Sequence, residues 1–339
     1  MSYKVTIIMS NYNQEKYISQ AIESVLNQKT NFPFQLIITD DFSTKDNSIK
    51  IIKEFEKKEP NIIKVLYNKE NGRYLKNILR AKAITKTPYF CLLDADDYWI
   101  DENYLQSAVD FLDSHSDYVI YSRNVICKTE KNEESFFVPT NIPISSFTID
   151  NYISGNISIT QTTGSFFRNV IFINGIPEIM KNAVGAISER SFEGDFDRYI
   201  MHLKYGKAYY DPKPCGVYRI LSSGIWSHLS NFEKTIIQAQ AYIDYNDYYE
   251  NKYKASFIKK AYIDLKNAFN TALTDDELNN TEEIYKEMFF NVLQKCSQEK
   301  EIILSKNIQQ MKIKFKYKIL LKLYRYCKKK LLKKGYITD

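Results

Sequence analysis

The sequence predicts an α/β fold with a mainly parallel sheet, extended at its C-terminal end by helices. From residue 5 to residue 93, short apolar runs alternate strictly with stretches whose apolar residues recur at helical spacing. That order implies βαβ units and a parallel sheet. From Asn231 the alternation stops and only helical periodicity remains. Three of the apolar runs end in polar clusters: Ser10–Asn13, Asp40–Asp46 and Asp94–Asp97. In a parallel sheet such ends share one edge, where open α/β sheets bind ligands, so three distant segments are expected to form one site.

The elements follow in order. Val5–Met9 is a buried strand, and Gln14–Asn27 places Tyr17, Ile18, Ala21, Ile22, Val25 and Leu26 on one helical face. Phe34–Thr39 is the second strand, Ser48–Lys58 a helix, and Ile62–Tyr67 the third strand. Asn71-Gly-Arg73 makes a turn into a helix over Tyr74–Ile84. Tyr89–Leu93, continuous and apolar, is the fourth strand. Beyond it, Tyr118–Ser122 reads as a strand and Lys128–Ser135 as a charged, solvated loop. Residues 141–156 lack a strong period and read as a loop able to move over the site. Ser191–Ile200 opens a helix. Asn231–Leu293 forms two or three more, with Tyr242, Tyr245, Tyr248, Tyr249 and Tyr253 read as packing aromatics and the lining of a sugar groove as the alternative.

Composition narrows the class. A chain of 339 residues with 27 Tyr and 20 Phe buries a full core and is no disordered polymer. Its five cysteines are scattered, without CxxC spacing, which speaks against a disulfide framework or a zinc site and fits a reducing cytoplasm. Met1-Ser-Tyr-Lys leads straight into a strand, so no signal peptide is expected, and no apolar run reaches 18 residues.

The net charge of +6 hides an asymmetry. Twelve Lys/Arg and no acid fall between Ile302 and Thr338, leaving the remainder at 6 − 12 = −6. Taken as a helix, residues 311–334 set Ile313, Tyr317, Leu320, Tyr324, Cys327 and Leu331 on one stripe, opposite Lys314, Lys318, Lys322, Arg325 and Lys329. A cationic face against an apolar one suits the surface of an anionic membrane leaflet. The alternatives are a solvated helix docked on the protein body and a nucleic-acid patch, the latter without any accompanying RNA-binding signature.

The acid cluster carries the chemistry. Asp94, Asp96 and Asp97 repel one another at a strand end unless a cation sits among them, and hard oxygens suit Mg²⁺ or Mn²⁺. A solvated acidic turn is the plain alternative. Tyr12 can stack on a flat base, Asp41 can accept hydrogen bonds from base or ribose, and Arg73 with the acids would face a diphosphate. Neither nucleotide fingerprint is present, no G-x-G-x-x-G after the first strand and no G-x-x-x-x-G-K-[ST]. Phosphates held without a Gly-rich loop point to a metal-held diphosphate.

Ile7-Ile-Met-Ser-Asn-Tyr-Asn13, Ile38-Thr-Asp-Asp-Phe-Ser-Thr-Lys-Asp46 and Leu92-Leu-Asp-Ala-Asp-Asp97 resemble, in content and spacing, the three signatures of the family 2 glycosyltransferases of GT-A fold. That resemblance spans about residues 4–230. It implies sugar transfer from a nucleotide diphosphate donor, UDP-sugar favoured, with inversion at the anomeric carbon and normally a divalent metal. Ser10, Tyr12, Asp41, Arg73 and Asp94 become candidate nucleotide contacts, and Asp96, with Asp94, the D-x-D metal ligand. Ile159–Arg168 resembles the strand that returns beneath the acceptor.

Inverting transfer also needs a carboxylate to take the acceptor's proton. Ser191–Ile200 resembles the family's E-D or G-D motif, which puts the base at Asp195, with Glu193 second and Asp197 third. A helix cap is the plain role for these acids. Tyr210–Ser227 resembles the segment Y-R-x-H-x-x-G-x-x-S, matched at Tyr218, Arg219, Gly224, Trp226 and Ser227, of which Arg219, Trp226 and Ser227 are expected at the diphosphate and acceptor. Leu221 stands where the family has histidine, and His228 lies seven positions on.

The expected organisation is a catalytic domain over 1–230, a helical extension over 231–300 and a basic amphipathic helix over 301–339. The expected activity is hexosyl or N-acetylhexosaminyl transfer to a saccharide, lipid-linked or free, in capsule, lipopolysaccharide or other surface glycan synthesis. The protein would sit peripherally on the inner face of the cytoplasmic membrane. The alternative of a different class, a catalytically silent binding module docked by its basic tail, has only the missing histidine in its favour, and the intact D-x-D and Asp195 speak against it. A sugar nucleotidyltransferase would need a Gly-rich basic loop where Ser10–Asn13 stands.

Overall fold

A computed structural model describes residues 2–155, 161–222, 224–271, 281–299 and 302–303. The chain divides into two compact units, residues 1–185 with 192–228, and residues 186–191 with 229–339.

The first unit is an α/β layer structure. β1 (Val5–Asn11), β2 (Phe34–Asp40), β3 (Ile63–Tyr67) and β4 (Tyr89–Leu92) are parallel, ordered β3-β2-β1-β4. α1 (Ile18–Leu26), α2 (Ser48–Lys58) and α3 (Arg73–Ile84) make the crossovers. β1 and β4 are apolar without alternation because both faces of a parallel sheet are covered. Val5, Ile7, Met9, Leu36, Ile38 and Cys91 pack in one cluster with Ile18, Ile22 and Val25 of α1.

Beyond β4 the sheet becomes mixed. The two-residue β5 (Tyr98–Trp99) leads to α4 (Tyr104–Ser114) and the long β6 (Tyr118–Thr129). β9 (Ser165–Arg168) runs antiparallel between β4 and β6, and β10 (Lys207–Ile220) pairs with β6 in parallel and with β5 in antiparallel sense. α6 (Glu178–Ala183) and α7 (Asp195–Leu203) lie in the chain between β9 and β10. Arg123, 2% exposed, fixes the sheet from within: it pairs with Asp101 at 2.6 Å and donates to the carbonyl oxygens of Lys213 and Pro214 at 3.0 Å.

Two stretches differ from the sequence expectation. The charged loop over 128–135 is a hairpin, in which β6 runs on to Thr129 and β7 (Glu134–Phe136) returns along it, with Asn132 left-handed at the turn. Every residue of β7 is exposed, so no apolar alternation marks it. Residues 141–155 contain β8 (Ser145–Phe147), paired with β10, and α5 (Ile149–Ser154), started by a Thr148–Asn151 capping box and ended by left-handed Gly155. Elements of three and six residues are too short to show a period.

The second unit is helical. Ser230 and Glu233 form the capping box of α8 (Asn231–Tyr248), followed by α9 (Lys254–Thr271) and α10 (Glu283–Gln298). Ile236, Ile243, Ile258, Leu265, Met288 and Val292 share one core, against which Ile187 packs. Asn291 donates to Gln240 at 2.8 Å and Tyr245 to the Ser191 carbonyl oxygen at 3.1 Å. The basic stretch 311–334 lies outside the described residues.

Candidate active site

The ends of β1 and β2 are tied side chain to side chain. Buried Asn11 donates to Asp40 Oδ1 at 2.7 Å, and Ser43 donates to the same carboxylate through Oγ (2.6 Å) and N (3.1 Å). The Asn13 amide donates to Ser43 Oγ at 2.9 Å. This bracing holds two non-glycine residues left-handed, Asn13 at φ 53° and Phe42 at φ 63°. Such conformations cost on the order of 1–3 kcal/mol each and persist where the surroundings over-determine them. Asp41 Oδ1 accepts from the Gly72 amide at 2.6 Å and from Asn68 Nδ2 at 2.8 Å, which fixes the turn into α3. Oδ2 then remains for a ligand. Arg73, exposed and left-handed at φ 65°, starts that helix. Ser10 is the penultimate residue of β1 and Tyr12 stands exposed just past its end.

The three acids after β4 separate into two roles. Asp97 is fully buried and accepts from Thr163 Oγ1 (2.7 Å), Gln161 Nε2 (3.0 Å) and the Arg219 amide (2.8 Å). It therefore pins the turn before β9 and the end of β10 to the acidic loop. Asp94 and Asp96 are left facing the site. Burial, with repulsion from Asp96, pushes Asp94 up to about 7 against the pull of Arg198. Burial likewise raises Asp96, opposed by Arg219. A divalent cation fits this hard, crowded oxygen pair, since it offsets the repulsion that remains beside Arg198 and Arg219 and lets both stay ionised. Among the described residues no three His, Cys, Asp or Glu side chains gather as a cage, so ligand and water oxygens would complete the shell.

Arg219 is engaged with the same loop. Its guanidinium lies 4.9 Å from the Tyr17 ring centre and 4.5 Å from that of Tyr98, and it donates to the Asp96 carbonyl oxygen and to Gln20 Oε1. It holds the acidic loop in shape. Leu221 is buried, whereas Trp226 is exposed, and the exposed His228 uses Nδ1 on the Gly224 carbonyl oxygen at 2.8 Å. Ser227 Oγ lies near Gly224 in the same turn.

Asp195 is the first residue of α7, after the Gly194 cap. Its Oδ1 accepts from Thr162 Oγ1 and from Arg198, both at 2.6 Å, and Arg198 also donates to Thr162 at 2.8 Å. Two donors on one oxygen leave Oδ2 to receive a proton. Arg198 is buried, its charge faced first by Asp195 and then by Tyr74, Asp197 and Asp94. Asp197 is 1% exposed, pushed by burial to about 6, and neither of its oxygens has a hydrogen-bond partner among the described residues. Its burial removes it as a base. Glu193 is partly exposed, two residues before Asp195. Burial lowers Lys82 of α3 to about 8 and His202 of α7, whose Nδ1–H donates to the Arg198 carbonyl oxygen at 2.6 Å, to about 3.

Sequence reasoning missed Thr162, Gln161, Thr163, Arg198 and Tyr74, and matched Tyr218 to a motif without giving it a role at the site. The Tyr74 hydroxyl is raised by burial and then by Asp94, with Asp195 also near, so it stands among the acids of the site. Tyr218 is raised by burial and then by Asp97, Asp195 and Asp94. Only Tyr218 carried a signal, its place beside Arg219.

The profile of Glycosyl transferase family 2 matches residues 6–175. An uncharacterized protein of Mycobacterium tuberculosis (strain ATCC 25618 / H37Rv) is 26% identical over 225 residues, 66% of this chain and 60% of the relative. The dTDP-rhamnosyl transferase RfbG of Shigella flexneri is 32% identical over 122 residues, 35% of this chain and 41% of the relative. The chain thus spans about 60% of the length of the mycobacterial relative. Among solved structures, S. aureus TarS 1–349 in complex with UDP-GlcNAc superposes with a TM-score of 0.59 at 17% identity, covering 88% of this chain and 83% of that one. The shared architecture is the GT-A-like α/β fold, with C-terminal helices in this chain.

Proposed function

The chain belongs to glycosyl transferase family 2, and from that premise we propose an inverting transfer of a sugar from a nucleoside diphosphate donor to a saccharide hydroxyl. The observation that carries the reading is Asp195, whose carboxylate is held on one oxygen in the same first unit as the acids of the D-x-D loop. TarS was solved with UDP-GlcNAc and RfbG is named for a dTDP-sugar. The nucleoside diphosphate sugar is common to both; the base is not. UDP is favoured here.

Each residue then has a task. Tyr12, Asp41 Oδ2 and the Ser10 end of β1 seat the nucleoside, with Arg73 at the rim. Asp94 and Asp96 would hold Mg²⁺ or Mn²⁺, which when bound supplies charge neutralisation for the departing diphosphate. Asp195 Oδ2 takes the proton of the acceptor hydroxyl as that oxygen bonds to C1. The C1–O bond to the diphosphate breaks, and its electron pair leaves with the nucleotide. Arg198 and Thr162 fix the carboxylate for that transfer. Arg219, Trp226 and Ser227 border the diphosphate and acceptor end, Arg219 acting chiefly on the acidic loop.

No helix among the described residues is long and apolar enough to cross a membrane. We assign residues 311–334 to an anionic membrane surface, which would bring lipid-linked acceptors of surface glycan synthesis to the site from the cytoplasmic face. Buried Leu221 in place of the family histidine favours the second reading, a binding module without catalysis. Thermal stability against UDP-, GDP- and dTDP-sugars, with and without Mn²⁺, tests the donor site, because a ligand bound only to the folded state raises the midpoint. A metal-dependent shift with one donor, followed by its hydrolysis or transfer, is expected. No shift at millimolar ligand overturns the donor assignment, and binding without turnover selects the module.

A further inference from the structure

Two aromatic side chains stand in solvent at the nucleoside end, Tyr12 at 44% exposure and Phe42 at 43%. Phe42 combines this exposure with φ 63°, where a bulky residue is a genuine outlier. The conformation is imposed from both sides. Asp40 before it and Ser43 after it are joined by two hydrogen bonds, at 2.6 and 3.1 Å, and Asn11 and Asn13 bind into the same knot at 2.7 and 2.9 Å. Asp41, next to Phe42, has its carboxylate turned onto the Gly72 amide.

Register places the two residues at neighbouring strand ends. Asn11 opposite Asp40 is the last pair of the β1–β2 ladder, and the Asp41 amide still donates to the Asn11 carbonyl oxygen at 2.9 Å. Tyr12 and Phe42 therefore follow the same rung on neighbouring strands, Tyr12 one residue after Asn11 and Phe42 two after Asp40. The protein keeps an apolar ring in water through a backbone conformation that is itself unfavourable. Its own packing recovers neither loss. A flat partner from outside recovers the exposed ring and explains why the loop is braced.

We propose that Phe42 supplies, beside Tyr12, a second stacking face for the nucleobase of the donor, while Asp41 reads the base or ribose edge. The proposal rests on the nucleotide-donor reading above and adds a specificity-determining residue to it. The ligand class is a base-bearing nucleoside diphosphate; a base-free polyphosphate gains nothing from Phe42.

The test is titration calorimetry on the full chain with UDP and Mg²⁺, and separately with inorganic pyrophosphate and Mg²⁺. Phe42→Gly suits a left-handed φ, so its thermal midpoint should match or exceed that of the wild type. Its Kd for UDP should rise roughly five- to a hundredfold, the span of base–aromatic stacking. Pyrophosphate binding should stay within twofold, and Phe42→Tyr, which keeps the ring, should bind UDP as the wild type does. UDP binding by Phe42→Gly within twofold of the wild type overturns the proposal and leaves the donor reading intact. Equal losses for UDP and pyrophosphate overturn it in favour of a purely structural loop. A wild type that binds none of UDP, GDP, dTDP or ADP overturns both together.

Discussion

At Asp195 the oxygen that matters is the one the protein leaves open. Thr162 and Arg198 both bond Oδ1, so in the proposed transfer Oδ2 would take the acceptor's proton. Asp195→Asn keeps the shape and one carbonyl acceptor but loses the basicity. Transfer should fall by about 10²–10⁴, the usual worth of a general base, while UDP affinity measured by calorimetry stays within twofold. Loss of both would assign Asp195 a structural role. The acids of the D-x-D give a pH signature. Asp94 titrates at about 7 in the folded chain against 3.8 unfolded, so the folded state binds the extra proton between those values. Without metal, stability therefore falls as pH rises from about 4 to about 7. A cation must displace that proton, so the stabilisation by Mn²⁺ with UDP, read from thermal midpoints, should grow from pH 6 to pH 8. Asp94→Asn should flatten that growth.

At the scale of elements the site depends on a latch that no motif announces. Asp97 reads in the sequence as the third acid of a cluster, yet it receives three hydrogen bonds from the turn before β9 and from β10. Asp97→Ala would leave three donors unpaired in the interior. At about 1–3 kcal/mol per orphaned group, a loss near 3–4 kcal/mol in urea unfolding is expected, with transfer reduced because the acidic loop is no longer held. A loss under about 1 kcal/mol would mean that water replaces the carboxylate. The same latch explains what was legible. The four parallel strands and their helices are local patterns, and each lies within a few residues of its expected place. Asp41, Asp94 and Asp96 could be singled out as candidates by residue type and strand-end position, and Asp195, which opens a helix, only by its resemblance to the family's motif. Thr162 and Arg198 were not, since a threonine before a short strand and an arginine within a helix acquire meaning only when β9 and α7 are brought together. For Arg219 the motif suggests a diphosphate clamp, and the structure adds what the motif does not show, cation–π contacts with Tyr17 and Tyr98 that set its side chain on the acidic loop.

For the whole molecule, charge separation is the property that composition states most directly. The chain carries +6, yet the twelve basic residues between Ile302 and Thr338 leave −6 on the rest. A mildly acidic body is repelled by an anionic leaflet, so any attachment must run through the tail. Each Lys or Arg near such a surface contributes about 1 kcal/mol, and on the proposed helix apolar Ile313, Leu320 and Leu331 would add burial at the interface. The full chain should therefore cosediment with vesicles containing phosphatidylglycerol and not with pure phosphatidylcholine. The bound fraction should drop as salt rises from 0.05 to about 0.5 M, since screening shortens the reach of the charge to a few ångströms. Removing residues 304–339 should abolish cosedimentation without altering UDP affinity. Binding that ignores lipid charge would leave only the apolar stripe at work. Failure to bind either vesicle, with the deletion destabilising the chain, would place the tail against the protein itself and leave the acceptor to arrive from solution.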